Sequence, residues 1–178
     1  HIFIGLFFGR QALRSVSKLA DEAMVDSLSN LPNRRAVRQE LDRRLKRGER
    51  LALALIDLDG FKGINDNYGH HVGDRLIKSI ASLLQDLVGK NGMIARLGGD
   101  EFVVFLPDMI REAAEESLRV LSAKLHIDYV KENLEVMISA SMGIVFSDGR
   151  DITFQDLYEE ADGCLYQVKR TFKGSYHI

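Results

Sequence analysis

A chain of 178 residues with 46% hydrophobic side chains is long enough for one domain with a buried core plus an appendage. Its 24 basic and 26 acidic side chains leave a net charge of -2, so no basic field points to nucleic acid as a partner. A lone cysteine, Cys164, excludes an internal disulfide framework and fits a reducing compartment, and no Cys/His set is spaced for zinc.

The chain opens on Ile2-Phe3-Ile4-Gly5-Leu6-Phe7-Phe8, followed by Arg10, Arg14 and Lys18. The apolar run is shorter than the roughly 20 residues of a bilayer span. Two readings fit it. It is either the end of a transmembrane helix whose basic flank marks the cytoplasmic exit, which makes the rest a cytoplasmic domain of an inner-membrane protein, or a helix packed on the domain or on a partner. Leu6, Leu13 and Ala20, with Val16 and Ala23, fall at heptad spacing, but fewer than four heptads do not establish a coiled coil. Residues 1–25 are therefore set apart as an N-terminal helix, juxtamembrane or signalling coiled coil, and residues 26–178 as one domain.

Residues 26–33 read as a turn, and a helix is expected over 32–46, with Pro32 tolerated in the first turn and Gly48 closing it. Residues 51–56 are continuously apolar, as in a strand covered on both faces. That strand ends in Asp57-Leu58-Asp59-Gly60. A carboxylate at the end of a buried strand is costly to desolvate without a cation or hydrogen-bond donors, so Asp57 is a candidate metal ligand; capping of the next helix is the alternative. An EF-hand is excluded, because its fifth and twelfth positions counted from Asp57 are Phe61 and Tyr68. His70 and His71 are neighbours on a helix start, point apart and lack a third ligand, so they read as structural. Val72, Leu76, Ile80, Leu83, Leu84 and Leu87 form a helical core stripe, and Gly89-Lys90-Asn91-Gly92 a turn.

Two strand-like runs then flank Gly98-Gly99, a dipeptide suited to a two-residue hairpin turn. The turn presents Asp100 and Glu101 at an exposed tip, where glycine lets a ligand approach the backbone. Pro107 stops the second strand. Ile110, Ala114, Leu118, Leu121 and Leu125 mark an amphipathic helix with a solvated acidic face, Glu112, Glu115 and Glu116. Residues 134–146 alternate strictly and are expected as one long strand with one buried face. Phe154, Leu157, Tyr158, Ala161, Leu165 and Val168 define a last helix. This order suggests an α+β sandwich with helices over a mostly antiparallel sheet, and neither a P-loop nor a dinucleotide fingerprint is present.

Gly98-Gly99-Asp100-Glu101-Phe102 resembles the GGDEF motif of diguanylate cyclases, which condense two GTP into cyclic di-GMP. Four further stretches share that resemblance. Asp26-Ser27-Leu28-Ser29-Asn30-Leu31-Pro32-Asn33-Arg34-Arg35 is similar to the family's opening D-x-L-T-G-L-x-N-R-R, departing at Ser29 and Asn30. The run from Asp57 through Phe61-Lys62, Asn65-Asp66 and Gly69-His70 to Gly73-Asp74 matches D-x-D-x-F-K-x-x-N-D-x-x-G-H-x-x-G-D. Ala161-Asp162-Gly163-Cys164-Leu165-Tyr166-Gln167-Val168-Lys169 resembles A-D-x-A-L-Y-x-A-K, and Ser141-Met142-Gly143-Ile144 the S-I-G-I/V stretch.

The resemblance covers residues 26–178 as a GGDEF domain. It implies a palm-like nucleotidyl cyclase fold, with a central, mostly antiparallel five-stranded sheet flanked by helices and both acidic motifs at adjacent strand ends. Asp57, the Leu58 carbonyl, Asp100 and Glu101 are then expected to hold Mg²⁺ or Mn²⁺, two ions per active half-site. Phe61, Lys62, Gly98 and Gly99 would line the nucleotide, with Lys62 and backbone N–H groups on phosphates, and Asn65 with Asp74 would read guanine. Guanine offers N–H donors to a carboxylate and O6/N7 acceptors to an amide, which favours GTP over ATP.

Lys169 would reach the triphosphate, although a basic residue at a helix end also serves the dipole. Lys173 stands where the family has a phosphate-binding Arg; it keeps the charge without the bidentate fork. The family's inhibitory product site, R-x-x-D, would fall on Gly89 and Gly92, so no feedback through that site is expected. The expected reaction has a ribose 3′-hydroxyl of one GTP attack the α-phosphate of a second, with Asp57 and Asp100 on the metal and Glu101 a candidate base. It requires a homodimer of facing half-sites, under control of the N-terminal helix. Two other functions remain open: a catalytically weak GTP-binding module governing an attached domain at either end, and a membrane-proximal dimerisation module.

Overall fold

The computed structural model describes residues 24–125, 127–131, 134–171 and 173–178. The expected membrane-exit segment and all of the heptad positions, Leu6, Leu13, Val16, Ala20 and Ala23, lie outside these residues. Among the described residues, no helix is long and apolar enough to cross a membrane.

Each periodic segment forms an element. Helix α1 covers Arg34–Leu45 and is capped by Asn33, whose side chain accepts hydrogen bonds from the Arg35 and Ala36 N–H groups. Strand β1, Leu51–Leu58, leads through Gly60, at φ 77°, into α2, Phe61–Tyr68, and α3, His70–Val88. A 3₁₀ turn, Gly89–Asn91, precedes the hairpin of β2, Met93–Gly98, and β3, Glu101–Pro107. Helix α4, Arg111–Lys124, is followed by β4, Ile127–Lys131, β5, Leu134–Ile138, and β6, Ala140–Phe146. Helix α5, Phe154–Thr171, and the short β7, Tyr176–His177, complete the chain.

The central sheet has the order β2-β3-β1-β6-β7, antiparallel throughout except for the β6–β7 pair. Strand β1 is central, and its alternation divides the core in two. Ala52, Ala54, Ile56 and Leu58 face the layer of α2, α3 and α4. Leu51, Leu53 and Leu55 face the layer of α1 and α5. Both faces are therefore buried, as the unbroken apolar run requires. Asp57 continues the odd-numbered set, so the period of two aims it at the α1/α5 side.

Three expectations need correction. The alternation over residues 134–146 is two strands, not one: β5 pairs with β4 in a separate two-stranded sheet, and β6 joins the central sheet after a break at Ser139. The Ile138 and Ala140 side chains both enter the same core, so the apolar phase carries through the break unchanged. Strand β6 is buried on both faces, since α5 covers the side that a half-buried strand would leave to water. Ile110 is 71% exposed and precedes α4, outside its core stripe.

Candidate active site

The register of the central strands builds the site. Asp57, the last odd-numbered residue of β1, lies directly across from Glu101, the first residue of β3. Cross-strand neighbours on one face have Cβ atoms roughly 5 Å apart, so two acids 44 positions apart in the chain share one surface patch. The Leu58 N–H donates to the Asp100 carbonyl at 3.3 Å, which fixes the hairpin turn against the end of β1.

The turn itself is shifted by one residue from the expected position. Gly98 pairs with Glu101, so Gly99 and Asp100 are the loop residues, with Gly99 at φ 51° and a bulge between Arg96 and Gly98. Nor is the tip fully exposed. Asp57, Asp100 and Glu101 are all half-buried.

Half-burial sets the electrostatics. Desolvation raises the Asp57 carboxyl above its ordinary range, and repulsion from Asp100 and Asp59 adds to it, against a hydrogen bond and attraction from Lys169. Lys169 Nζ lies 2.8 Å from Asp57 Oδ1. Glu101 is likewise raised, chiefly by burial and then by repulsion from Asp57, Asp100 and Asp162, against the pull of Arg34. Arg34 Nη2 stands 3.8 Å from Glu101 Oε2, and the same guanidinium covers the Tyr158 ring at 4.8 Å. Among the described residues, no three His, Cys, Asp or Glu side chains already converge as a metal cage.

Helix α5 brings Lys169 to this patch because Gly143 lets it come close. A Cβ on Gly143 would sit 2.1 Å from the Ala161 carbonyl and 2.7 Å from the Leu165 N–H nitrogen. Lys169 is one turn beyond Leu165 on the same face.

Beside the acids, Gly60 and Phe61 open the α2 helix. Phe61 is buried while Lys62 is exposed. Asn65 packs on the backbone of α3: a Cβ on Gly73 would meet Asn65 Oδ1 at 2.0 Å. That oxygen is buried and has no hydrogen-bond partner. Asp74, the next residue after Gly73, is exposed at the start of α3. Gly98 and Gly99 are exposed along the hairpin. Lys173 is exposed in the turn after α5, and that turn is held to the sheet by bonds from Gly174 N–H to Ser141 Oγ and from Met142 N–H to the Ser175 carbonyl. His70 and His71 are exposed on the first turn of α3.

Three residues of the patch carry roles that the sequence alone did not assign. Asp59 is a hub: its two oxygens accept from Ser139 Oγ and Ser141 Oγ at 2.8 Å each, and its N–H donates to the Ser139 carbonyl at 2.8 Å. Ser141 in turn accepts from Gly174, so this carboxylate joins the end of β1 to the turn that carries Lys173. Arg34 neutralises Glu101, and Arg96 holds the hairpin turn. The repeated acid in Asp57-Leu58-Asp59 signals Asp59, but its serine partners lie 80 and 82 positions away.

Comparison with known proteins identifies the family. The family model described as "Diguanylate cyclase, GGDEF domain" matches residues 23–175. The chain is 40% identical over 156 residues to the diguanylate cyclase DgcP of Pseudomonas aeruginosa, covering 84% of this chain and 23% of that protein. It is 35% identical over 167 residues to the bifunctional diguanylate cyclase/cyclic di-GMP phosphodiesterase MucR of the same organism, covering 92% of this chain and 24% of that one. It thus spans about a quarter of the length of these relatives. Among solved structures, the GGDEF domain of DgcB from Caulobacter crescentus in complex with c-di-GMP superposes with a TM-score of 0.76 at 30% identity, covering 87% of this chain and 95% of that one. With its central sheet, its acidic strand ends and these matches, the chain belongs to the GGDEF domains of the diguanylate cyclase family.

Proposed function

We propose that this domain condenses two GTP into cyclic di-GMP with release of two pyrophosphates. The observation that carries the reading is the cross-strand pairing of Asp57 with Glu101, at the point where the Asp100 carbonyl is bonded to the end of β1. The residues present fit a divalent cation. Asp57 already takes a cation, the Lys169 ammonium, at 2.8 Å, and its neighbours are hard oxygen donors. Magnesium is commonly held by one or two carboxylates plus substrate phosphates rather than by an all-protein cage, so a ready-made three-acid cluster is not required. Asp57, Asp100, Glu101 and the Leu58 carbonyl are the proposed ligands for Mg²⁺ or Mn²⁺, two per half-site. When bound, the metal would neutralise the triphosphate and acidify the ribose 3′-hydroxyl.

The chain's own groups supply the rest. The buried Asn65 Oδ1 is an acceptor for a guanine N–H, the amide nitrogen can donate to O6 or N7, and the Asp74 carboxylate accepts from the donor edge. Lys62, Lys169 and Lys173 bring three ammonium groups toward the phosphates. Phe61, Gly98 and Gly99 shape the approach. The 3′-oxygen of one GTP forms a bond to the α-phosphorus of the other, the bond to the β-phosphate oxygen breaks, and pyrophosphate carries away the electron pair. Glu101, raised by burial, is the candidate acceptor of the hydroxyl proton. One domain holds one nucleotide, so two copies face each other as half-sites.

The test is incubation with GTP and Mg²⁺ followed by separation of the nucleotides. Cyclic di-GMP should form, and Asp57→Ala or Asp100→Ala should lower the rate by at least about 100-fold. A second reading, a GTP-binding module that governs an attached domain, is favoured by Lys173 in place of the family's Arg. Nucleotide binding without product would select it.

A further inference from the structure

The Asp57–Lys169 pair does more than neutralise a charge. Asp57 is only 14% exposed, and the acidic groups that act on it are Asp100, Asp59 and Glu101. Lys169 is the one cation that the described contacts place on Asp57, and it is itself 37% exposed on the last turn of α5. Its long stem can swing to water or to a bound ligand while the helix stays clamped on Gly143. One ammonium thus occupies the carboxylate where the proposed metal would bind, and the same ammonium is the proposed triphosphate contact.

We infer that Lys169 is an exchangeable counter-cation: it holds Asp57 in the resting site, gives up that carboxylate to the divalent metal, and passes to the triphosphate, so that metal and nucleotide bind cooperatively. This rests on the proposed cyclase reading. A metal arriving alone must displace the ammonium and recoup the lost ion pair. A nucleotide arriving alone draws the ammonium away and leaves a half-buried carboxylate beside other acids without a counter-charge. Each ligand by itself bears the whole cost of breaking the pair. Bound together they bear it once, which is a positive coupling beyond direct chelation of the metal by phosphate.

The experiment measures Mn²⁺ affinity by titration calorimetry on the full chain, without nucleotide and with a non-hydrolysable GTP analogue, for the wild type, Lys169→Met and Asp57→Asn. Lys169→Met should bind Mn²⁺ alone about five- to tenfold tighter than the wild type, a modest factor because the pair is partly exposed, and the enhancement by nucleotide should fall by a similar factor. Asp57→Asn should abolish the tight phase in every case. Equal or weaker Mn²⁺ binding by Lys169→Met, with Asp57→Asn still abolishing it, overturns the exchange while sparing the metal site. Binding that ignores Asp57 overturns both.

Should Lys169→Met not fold, the wild type carries the same test in the ¹⁵N signal of the lysine ammonium groups. Added Mg²⁺ should move one signal from its ion-paired to its free position, and no movement while metal binds would also overturn the exchange.

Discussion

Asp26 and Arg96, seventy positions apart, are joined by a hydrogen bond of 2.9 Å from Arg96 Nη1 to Asp26 Oδ1. The other two nitrogens of the fork, Nε and Nη2, donate to the Gly99 carbonyl at 3.1 and 2.7 Å, and the Arg96 N–H donates to the Pro32 carbonyl at 2.9 Å. Asp26 Oδ1 also accepts from the Ser29 N–H and hydroxyl. One planar side chain therefore ties the first turn of the domain to the turn that carries Asp100, and five residues later in that first segment Leu31 enters the core.

Replacing Arg96 should accordingly affect fold and site together. Its side chain is 10% exposed and that of Asp26 22%, so Arg96→Ala leaves a largely buried carboxylate without its cation, held by Ser29 alone, and removes both side-chain donors from the Gly99 carbonyl. We expect a loss of about 2–4 kcal/mol in urea unfolding at pH 7. Arg96→Lys should recover only part of it, because an ammonium lacks the fork that bonds both partners. Burial works to raise Asp26, but the Ser29 and Arg96 hydrogen bonds prevail and hold its carboxyl below the usual range. A lowered folded-state value means stability that is present above the unfolded pKa and lost as pH falls through the folded one. The gap between wild type and Arg96→Ala should thus narrow on acidification below about pH 4.

Gly143 fixes the distance between α5 and the sheet. The backbone atoms it would meet, at 2.1 and 2.7 Å, cannot rotate aside as a flexible side chain could. Gly143→Ala should cost about 1–3 kcal/mol by forcing the helix outward. It should also reduce GTP turnover through Lys169, whereas Gly163→Ala on the exposed side of the same helix, where nothing lies within 4 Å, should leave both nearly unchanged or slightly raise stability.

What the sequence disclosed and what it hid divide along physical lines. The unbroken run of β1, the helical stripes of α3 and α5 and the paired acids were legible because period and residue type act locally. The split at Ser139 was not: the same alternating phase serves β5 and β6, and only hydrogen-bond partners distinguish the two sheets. The role of Asp59 was equally hidden, since its donors come from the segment around that split. The roles of Arg34 and Arg96 carried no sequence signal either, because only the folded register places Glu101 and Gly99 beside them.

Burying ionised acids at the strand ends costs stability that removal of the charge should return. Asp57 is raised in the fold by desolvation first, despite Lys169. For a carboxyl with a raised folded value, the penalty is absent below the unfolded pKa, grows as pH climbs toward the folded value and is complete at neutrality. Metal-free Asp57→Asn should therefore melt about 1–2 °C above the wild type at pH 7, with the advantage vanishing below about pH 4. Under saturating Mg²⁺ and nucleotide the order should reverse, because the variant loses the metal's share of the ligand stabilisation.

The positions expected for an inhibitory product site also follow from packing. Gly89 has φ 55°, a conformation that an arginine adopts only under strain, and a Cβ on Gly92 would lie 2.3 Å from the Phe105 carbonyl and 2.7 Å from the Leu106 side chain. An aspartate at 92 cannot be introduced without moving β3, the strand that begins at Glu101. Initial rates of cyclic di-GMP formation should consequently be the same with and without added product in short assays. The double substitution Gly89→Arg/Gly92→Asp should not install inhibition; it should instead lower stability by about 1–3 kcal/mol through overpacking. Progress curves with product added at the start, alongside thermal melts of the double variant, check both halves: a rate that falls with product in the unaltered chain would reveal a regulatory site elsewhere on the domain.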